Sequence, residues 1–210
     1  MRTGVVAVVL AGGLALTGCS AGGGEPEQQP PPSAPVPVSS PSTAPQPAAA
    51  PPPPVELGGS STLEEVRRRG SLLVGLRAEE PRFATRDGGH YRGFDVEVTE
   101  FVVRELGLDP RTQISYRMLP PTLRDGSLAR GEVDLLVGGA EPGDSGVDAV
   151  GPYAVTADGT EHYLGIKSGD AALHDRIDAA LATAVRDGAW QRAYDETLAT
   201  EGVQARPAPR

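Results

Sequence analysis

Val150-Gly-Pro-Tyr-Ala-Val-Thr156 and His162-Tyr-Leu-Gly-Ile-Lys167 are two strand-like runs, and Ala157-Asp-Gly-Thr160 lies between them. Asp158-Gly159 is a strong hairpin signal, because both central residues of a type I′ turn need positive φ. We therefore expect the chain to turn back on itself at 157–160. This turn decides the fold, since it leaves no room for a further folded body between the two strands.

Upstream of this hairpin, helix-like and strand-like runs alternate. A capping box at Thr62–Glu65 begins a short helix that ends at Gly70, and Asp95 is placed to cap a second helix. Such alternation predicts an α/β fold with a mixed, mostly parallel sheet and flanking helices. The predicted strands are 72–76, 114–118 and 133–137, and the predicted helices are 96–106, 123–130, 171–186 and 189–199.

The first nineteen residues have the pattern of a secretory signal: Arg2, an apolar run from Val5 to Leu16, and small residues before Cys19. The apolar run is shorter than the roughly 20 residues that span a bilayer. Leu16-Thr17-Gly18-Cys19 resembles the lipobox of bacterial lipoproteins, which implies cleavage before Cys19 and a lipid on its sulfur. We expect the signal peptide, assigned to residues 1–19, to be cut before Cys19, so that Cys19 becomes the first residue of the mature protein and anchors it to the extracytoplasmic face of the cell membrane.

Residues 20–60 hold 13 of the 21 prolines and no aromatic residue. A segment of this composition buries too little apolar surface to offset the entropy of ordering, so we predict a disordered, extended spacer. The folded domain is predicted at 61–201, about 140 residues, which is an ordinary size for one domain. The tail at 202–210, with Pro207 and Pro209, is predicted to be disordered.

Charge and composition exclude several classes of function. The formal net charge of −9 argues against a nucleic-acid partner, because phosphate binding needs a basic stripe. One Cys and three His residues provide no disulfide framework and no zinc motif, and we expect no cofactor. The histidines lie far apart in sequence and fit no nucleophile–base signature, so we expect a protein that is not an enzyme.

Several short motifs together carry a family resemblance over about 130 residues. They resemble the extracytoplasmic amino-acid-binding receptors of ABC importers, solute-binding protein family 3. The resemblance implies a type II periplasmic-binding-protein-like fold, in which a small polar solute is held between two lobes and an ABC permease is the partner. The motifs are Arg69-Gly-Ser-Leu-Leu-Val-Gly-Leu76, Pro81-Arg-Phe83, Gly93-Phe-Asp-Val-Glu-Val98, Gly131-Glu-Val-Asp134, Gly138-Gly139, Pro152-Tyr153, Leu164-Gly-Ile166 and Asp187-Gly-Ala-Trp190.

The sequence departs from that family in two ways. The hairpin at 157–160 stands where the second lobe is usually inserted, so we expect a single lobe. The loop after Gly138-Gly139 usually ends in an Arg that grips the ligand carboxylate, whereas here it carries Glu141 and Asp144. An open half-cleft with these carboxylates is not expected to bind a free amino acid tightly as a monomer, and a cationic ligand is favoured over an anionic one.

Five residues are candidates for ligand contact. Phe83 matches the position of the family's aromatic ring against the ligand, although it fits a core position equally well. Arg77 ends the first strand, where open α/β sheets hold ligands, and a solvated ion pair with a nearby Glu is the simpler interpretation. Gly138 and Gly139 either offer backbone groups to a ligand or permit a tight turn. Glu141 is a candidate for a cation, against the alternative of a solvated turn.

The sequence therefore predicts a membrane-anchored extracytoplasmic lipoprotein with a reduced, single-lobe solute-binding domain. Its favoured role is recognition of a small solute or a partner, in association with an ABC amino-acid importer. Two alternatives stay open: a module that binds no small ligand and uses the half-cleft to contact a protein, and a working receptor that completes its cleft by dimerising.

Overall fold

The computed structural model describes residues 59–124 and 126–209. Cys19, the predicted signal peptide and all but the last two residues of the predicted spacer lie outside the described residues. Within the described part, the helices are α1 (Ser61–Arg69), α2 (Phe94–Glu105), α3 (Pro121–Arg124), α4 (Ala171–Arg186) and α5 (Ala189–Glu196). The strands are β1 (Leu72–Arg77), β2 (Thr85–Asp87), β3 (His90–Arg92), β4 (Ile114–Leu119), β5 (Leu135–Ala140), β6 (Val147–Thr156), β7 (Glu161–Lys167) and β8 (Ala205–Arg206).

Six strands form one mixed sheet in the order β4-β1-β5-β7-β6-β8. β4, β1 and β5 are parallel to one another, because α2 and the segment with α3 return the chain between them. β7, β6 and β8 add an antiparallel half. β2 and β3 form a separate antiparallel pair. The predicted α/β class with a mixed sheet is confirmed, but this sheet is not mostly parallel, because two of its five neighbouring strand pairs are parallel and three are antiparallel.

The turn at 157–160 joins β6 directly to β7, and the two strands pair antiparallel. The Gly159 N–H donates to the Thr156 carbonyl at 2.9 Å, so Ala157 and Asp158 are the central residues of the turn. Gly159 follows them with φ of +87°. The predicted reversal is confirmed, but the glycine lies one place later than a type I′ turn on Asp158-Gly159 requires.

Buried apolar side chains lie on both faces of the sheet, and alternate residues of β5 point to opposite faces. Leu135 and Val137 belong to the larger core, which also contains residues of α1, α2, α4 and α5. Leu136 belongs to a smaller core on the other face. Phe94 at the start of α2 packs edge-on against Trp190 of α5, with ring centroids 5.4 Å apart. This packing holds the first turn of α2 next to the end of β1.

Ser60 caps α1 in place of the predicted Thr62. Its Oγ accepts a hydrogen bond from the Leu63 N–H at 3.1 Å and donates one to Asp170 at 2.8 Å. Asp170 in turn caps α4 by accepting from the Leu173 N–H. Ser60 is fully buried, so the folded body begins earlier than the predicted boundary at Ser61.

The segment after Gly202 differs from the expected disordered tail. It contains β8, which pairs with the end of β6, and the Ala157 N–H donates to the Gln204 carbonyl at 3.0 Å. Ala208 is buried. The pairing has a physical reason, because without β8 the end of β6 exposes unpaired backbone groups at the edge of the sheet.

Candidate functional site

A cleft of about 630 Å³ lies at the edge of the sheet where β1 and β6 end and β7 begins. The carboxyl ends of parallel strands are the usual ligand-binding edge of an open α/β sheet. Polar groups converge there from several elements, since the loop after β1 and the β6–β7 turn meet at that edge. The cleft is lined by Glu80, Arg82, Phe83, Thr156, Ala157, Asp158, Thr160, His162, Gly202, Val203 and Gln204.

Arg77, a predicted site residue, does not itself line this cleft. It lies behind the inner end of the cleft, in contact with the lining residues Glu80, Phe83 and His162, and 4% of its side chain is exposed. Its Nη2 donates to Asp95 at 3.3 Å, and its Nη1 lies 3.1 Å from both Glu80 and His162 Nδ1. The predicted ion pair with a nearby Glu is present, but the prediction that it is solvated is wrong. The guanidinium is buried, and it has a second acidic partner, Asp95, that is fully buried. Arg77 Nε is buried and has no hydrogen-bond partner among the described residues.

Asp95 does not cap α2, which corrects the sequence-based assignment. The capping position is Gly93, where a Cβ atom would lie 2.3 Å from the Phe83 carbonyl oxygen. The helix is therefore capped two residues before the predicted position. Asp95 lies in the first turn of α2 and faces the interior. Its Oδ1 accepts a hydrogen bond of 2.6 Å from the Tyr153 hydroxyl.

Phe83 is both a core residue and a wall of the cleft. The side chain is 3% exposed, and its ring centroid lies 4.6 Å from the Arg77 guanidinium carbon and 4.6 Å from the His162 ring. The Phe83 and Phe94 rings pack edge-to-face, with centroids 6.5 Å apart. An arginine over an aromatic face contributes about 0.5–2 kcal/mol, the upper value applying when the pair is dry.

The predicted diglycine accommodates two arginine side chains. Gly138 and Gly139 both have φ of +70°. A Cβ at Gly138 would lie 2.0 Å from Arg77 Nε, and one at Gly139 would lie 2.5 Å from Arg124 Nη1. Arg124 is paired with Glu79 at 2.6 Å. The two glycines therefore make room for side chains of this chain, and tight packing, not an open backbone, explains them.

Glu141 does not join this cluster. It is exposed in the loop after β5, and its N–H donates to Asp144 Oδ2 at 2.9 Å. It is not one of the residues lining the cleft. Of the two interpretations of Glu141, these observations fit the solvated turn and not the contact with a ligand. Within 59–124 and 126–209, no group of three or more His, Cys, Asp or Glu side chains is arranged to hold a metal ion.

Burial governs protonation at the inner end of the cleft. It lowers the pKa of His162 to about 4, and the neighbouring Arg77 guanidinium acts in the same direction. Burial raises the pKa of the Asp95 carboxyl, while Arg77 and the Tyr153 hydroxyl oppose that rise. Burial also raises the pKa of Tyr153, and the adjacent Asp95 adds to the effect. His162 is therefore a neutral acceptor for Arg77 at pH 7.

The sequence profile of the bacterial extracellular solute-binding proteins, family 3, matches residues 72–199, more than half of the chain. The chain belongs to this family. The family predicted from the motifs is thus confirmed, and family 3 proteins are non-enzymatic receptors. No helix among the residues that the structure describes is both long and apolar enough to cross a membrane.

Two curated relatives match part of this family 3 chain. The glutamate/glutamine/aspartate/asparagine-binding protein BztA of Rhodobacter capsulatus is 40% identical over 79 residues, which are 37% of this chain and 23% of BztA. The glutamine-binding protein of Geobacillus stearothermophilus is 27% identical over 82 residues, 38% of this chain and 31% of that protein. The matches thus span less than a third of the length of either relative.

A solved structure matches this family 3 chain over nearly the whole of a single domain. It is a point mutant of the arginine-bound form of domain 1 from TmArgBP, the ArgBP of T. maritima. The identity is 26% and the TM-score 0.50, with 59% of this chain and 98% of that one covered. The predicted single lobe is confirmed as the architecture of the described residues.

Four residues of the site were not predicted as site residues: Asp95, Tyr153, His162 and Arg124. Asp95 was assigned to a cap, and Tyr153 was noted only within a motif of the family 3 resemblance. A signal for them did exist, since a polar residue in an otherwise apolar strand or helix face is buried with a partner or is functional. Their mutual contacts, however, join positions as far apart as 77 and 162, and spacing along one sequence does not reveal such pairs.

Proposed function

We propose that the protein is an extracytoplasmic receptor whose single lobe recognises an amino acid with a positively charged side chain in the open cleft. Charge at the cleft carries this proposal. Glu80 and Asp158 line it with carboxylates and Arg82 with one guanidinium, while Arg77 and Asp95 oppose each other as a buried pair. The net charge of these groups is negative. A carboxylate on the side chain of an amino-acid ligand is therefore repelled, and a cationic side chain is attracted.

The relatives support an amino acid as the class of ligand. BztA and the Geobacillus protein are named for acidic and amide amino acids, and domain 1 of TmArgBP is described in an arginine-bound form. That form is a precedent for a single lobe holding its ligand. The open cleft encloses less of the ligand than two lobes do, so we propose weak binding by the monomer.

Calorimetric titration of residues 59–210 with arginine, lysine, glutamine and glutamate tests this proposal. We expect the two cationic amino acids to bind and glutamate not to bind. Asp158→Asn keeps the acceptor oxygen for the Thr160 N–H and removes one charge, so it should weaken arginine binding about two- to fivefold. Glu64→Gln, an exposed change on α1, is the matched control and should leave the affinity unchanged. Glutamate binding as tightly as arginine would contradict the proposal.

The same titration separates the two alternatives. Affinity that rises with protein concentration favours a receptor that completes its cleft by dimerising. Absence of a response to all four amino acids at millimolar concentration favours a module that contacts a protein and binds no small ligand.

We also propose that Cys19 carries a lipid and tethers the protein to the outer face of the cell membrane. The support is the Leu16-Thr17-Gly18-Cys19 motif, which holds the single cysteine of the chain. Expression of the full chain in a bacterium with labelled palmitate should give a labelled protein in the membrane fraction. Cys19→Ser should lose both the label and the membrane association, and a labelled Cys19→Ser protein would contradict the proposal.

Association with an ABC permease is the third part of the proposal, and it rests on membership of family 3. The test is uptake of labelled arginine by cells of the source organism. Uptake should fall on deletion of the gene and return with the intact gene but not with the Cys19→Ser form. Unchanged uptake after deletion would argue against a role in import.

A further inference from the structure

We infer that the inner end of the cleft is a guanidinium-recognition site that the protein's own Arg77 occupies. This inference goes beyond the proposed function, because it concerns a site already filled by a side chain. Its test does not require the wild-type protein to bind any solute. The ligand class is a compact planar cation of the guanidinium type.

The groups around Arg77 match the chemistry of a guanidinium ion. Such an ion offers N–H donors in its plane and a flat face. Asp95 and Glu80 supply carboxylates at 3.3 Å and 3.1 Å from the two terminal nitrogens, and neutral His162 lies 3.1 Å away as a further acceptor. Phe83 presents its ring 4.6 Å from the guanidinium carbon. Acceptors around the edge and an aromatic ring on the face together select this shape and charge.

The stem of Arg77 contributes little to this recognition. Its Nε, the one guanidinium nitrogen that is bonded to the stem, is buried without a hydrogen-bond partner among the described residues. The contacts with Asp95, Glu80 and His162 are all made by the two terminal nitrogens. A free guanidinium ion therefore regains the polar contacts that the side chain makes, and its third nitrogen occupies the place of Nε.

The site has space and a route to solvent. Gly138 leaves room behind the side chain, since a Cβ there would lie 2.0 Å from Arg77 Nε. Glu80, Phe83 and His162 each line both the Arg77 site and the cleft of about 630 Å³. Shortening Arg77 to Ala opens a buried space that joins the cleft, so a small cation can enter from solvent.

The test is a thermal-shift titration of Arg77→Ala and wild type with methylguanidinium, methylammonium and urea, up to roughly 50 mM. A ligand that binds only the folded state at ten times its Kd raises the melting temperature of a domain of this size by roughly 3 °C. We expect that rise for Arg77→Ala with methylguanidinium alone. Wild type should not gain stability, because its site is full. Methylammonium is a cation that is not planar, and urea is planar but uncharged, so the two compounds test charge and shape separately.

A second variant identifies the acceptor. Arg77→Ala/Asp95→Asn keeps the open space and loses the central carboxylate, so it should lose most of the methylguanidinium response. The inference is overturned if Arg77→Ala responds no more than wild type, or if it responds equally to methylammonium.

Refolding yield replaces the melting temperature if Arg77→Ala does not fold alone. Arg77→Met keeps most of the stem volume and serves as the reference for a folded protein without the charge. Recovery of folded Arg77→Ala in methylguanidinium but not in methylammonium supports the inference. Failure of methylguanidinium to raise the yield, while Arg77→Met folds, overturns it.

Discussion

The Tyr153 hydroxyl donates a hydrogen bond of 2.6 Å to Oδ1 of Asp95, and both side chains are buried. This bond joins β6, the first strand of the hairpin, to the first turn of α2. Trp190 of α5 donates to the Tyr153 carbonyl at 2.7 Å, and Asp95 accepts from Arg77 at the end of β1. The hairpin that stands in place of a second lobe is therefore fixed to the rest of the fold by a buried polar network.

Asp95→Asn should be the most destabilising single polar substitution in this network. It removes the fully buried charge that opposes the Arg77 guanidinium, and loss of one member of a buried pair costs about 3–5 kcal/mol. Urea unfolding of residues 59–210 followed by circular dichroism gives the change in the free energy of unfolding.

Tyr153→Phe is the matched control for that measurement. It keeps the ring and deletes only the hydroxyl, so the expected loss is about 1.5–3 kcal/mol, the value of one hydrogen bond to a charged group. If Asp95→Asn costs no more than Tyr153→Phe, the Arg77–Asp95 pair does not stabilise the fold in the way described.

Gly138→Ala should destabilise the protein by about 2–4 kcal/mol. The residue has φ of +70°, and the added Cβ would lie 2.0 Å from Arg77 Nε. Backbone strain and displacement of a buried arginine both contribute to the loss. Denaturant unfolding measures the change, and the double variant Gly138→Ala/Arg77→Ala should cost less than the sum of the two single variants because the clash is gone.

Gly159→Ala isolates the backbone contribution. Its φ is +87°, and nothing lies within 4 Å of the added Cβ. The expected loss is about 1 kcal/mol, the cost of a left-handed conformation for alanine. Equal losses at the two glycines would mean that Arg77 moves aside freely.

The architecture was predictable because its signals are local. Apolar runs with strand or helix periodicity, a turn at Asp158-Gly159 and the motifs around them lie within a few residues of one another in sequence. The tail was predicted wrongly for a related reason. Pro207 and Pro209 indicate disorder locally, whereas the order of β8 comes from the edge of β6, which is about fifty residues away along the chain.

The site was only partly predictable. Arg77 was found from its place at the end of a strand, and Phe83 was found from the family resemblance. The burial of Arg77, however, depends on Asp95, whose sequence context fits a helix cap just as well. Glu141 was assigned from its charge, and charge alone does not distinguish a solvated loop from a binding site. Contacts such as Arg77 with His162 depend on the strand order β1-β5-β7, which the sequence leaves open.

Removal of residues 204–210 should loosen the end of β6 and leave the centre of the sheet intact. The Ala157 N–H is bonded to the Gln204 carbonyl, so its exchange with deuterium should become at least about tenfold faster in the truncated protein. The Leu164 amide in β7, a strand between two neighbours, is the internal control and should not change. Rapid exchange at Ala157 in the intact chain would mean that β8 does not form stably.

His162 should make the protein less stable as the pH falls from about 6.5 to about 4. Burial and the Arg77 charge lower the pKa of the folded-state imidazole to about 4, whereas the unfolded chain takes up the proton near pH 6.5. Between these values the unfolded state binds more protons, so the free energy of unfolding decreases with falling pH by at most about 1.4 kcal/mol per pH unit.

His162→Asn keeps an acceptor and does not titrate. The difference in stability between wild type and this variant therefore isolates His162 from the carboxyl groups that titrate in the same range. His174→Gln, at a histidine outside the cleft, is the control for replacing a histidine elsewhere in the fold. Urea unfolding at pH 7.5, 6.0, 5.0 and 4.5 makes the comparison, and a constant difference between wild type and His162→Asn at all four values would mean that His162 is protonated in the folded state as easily as in the unfolded chain.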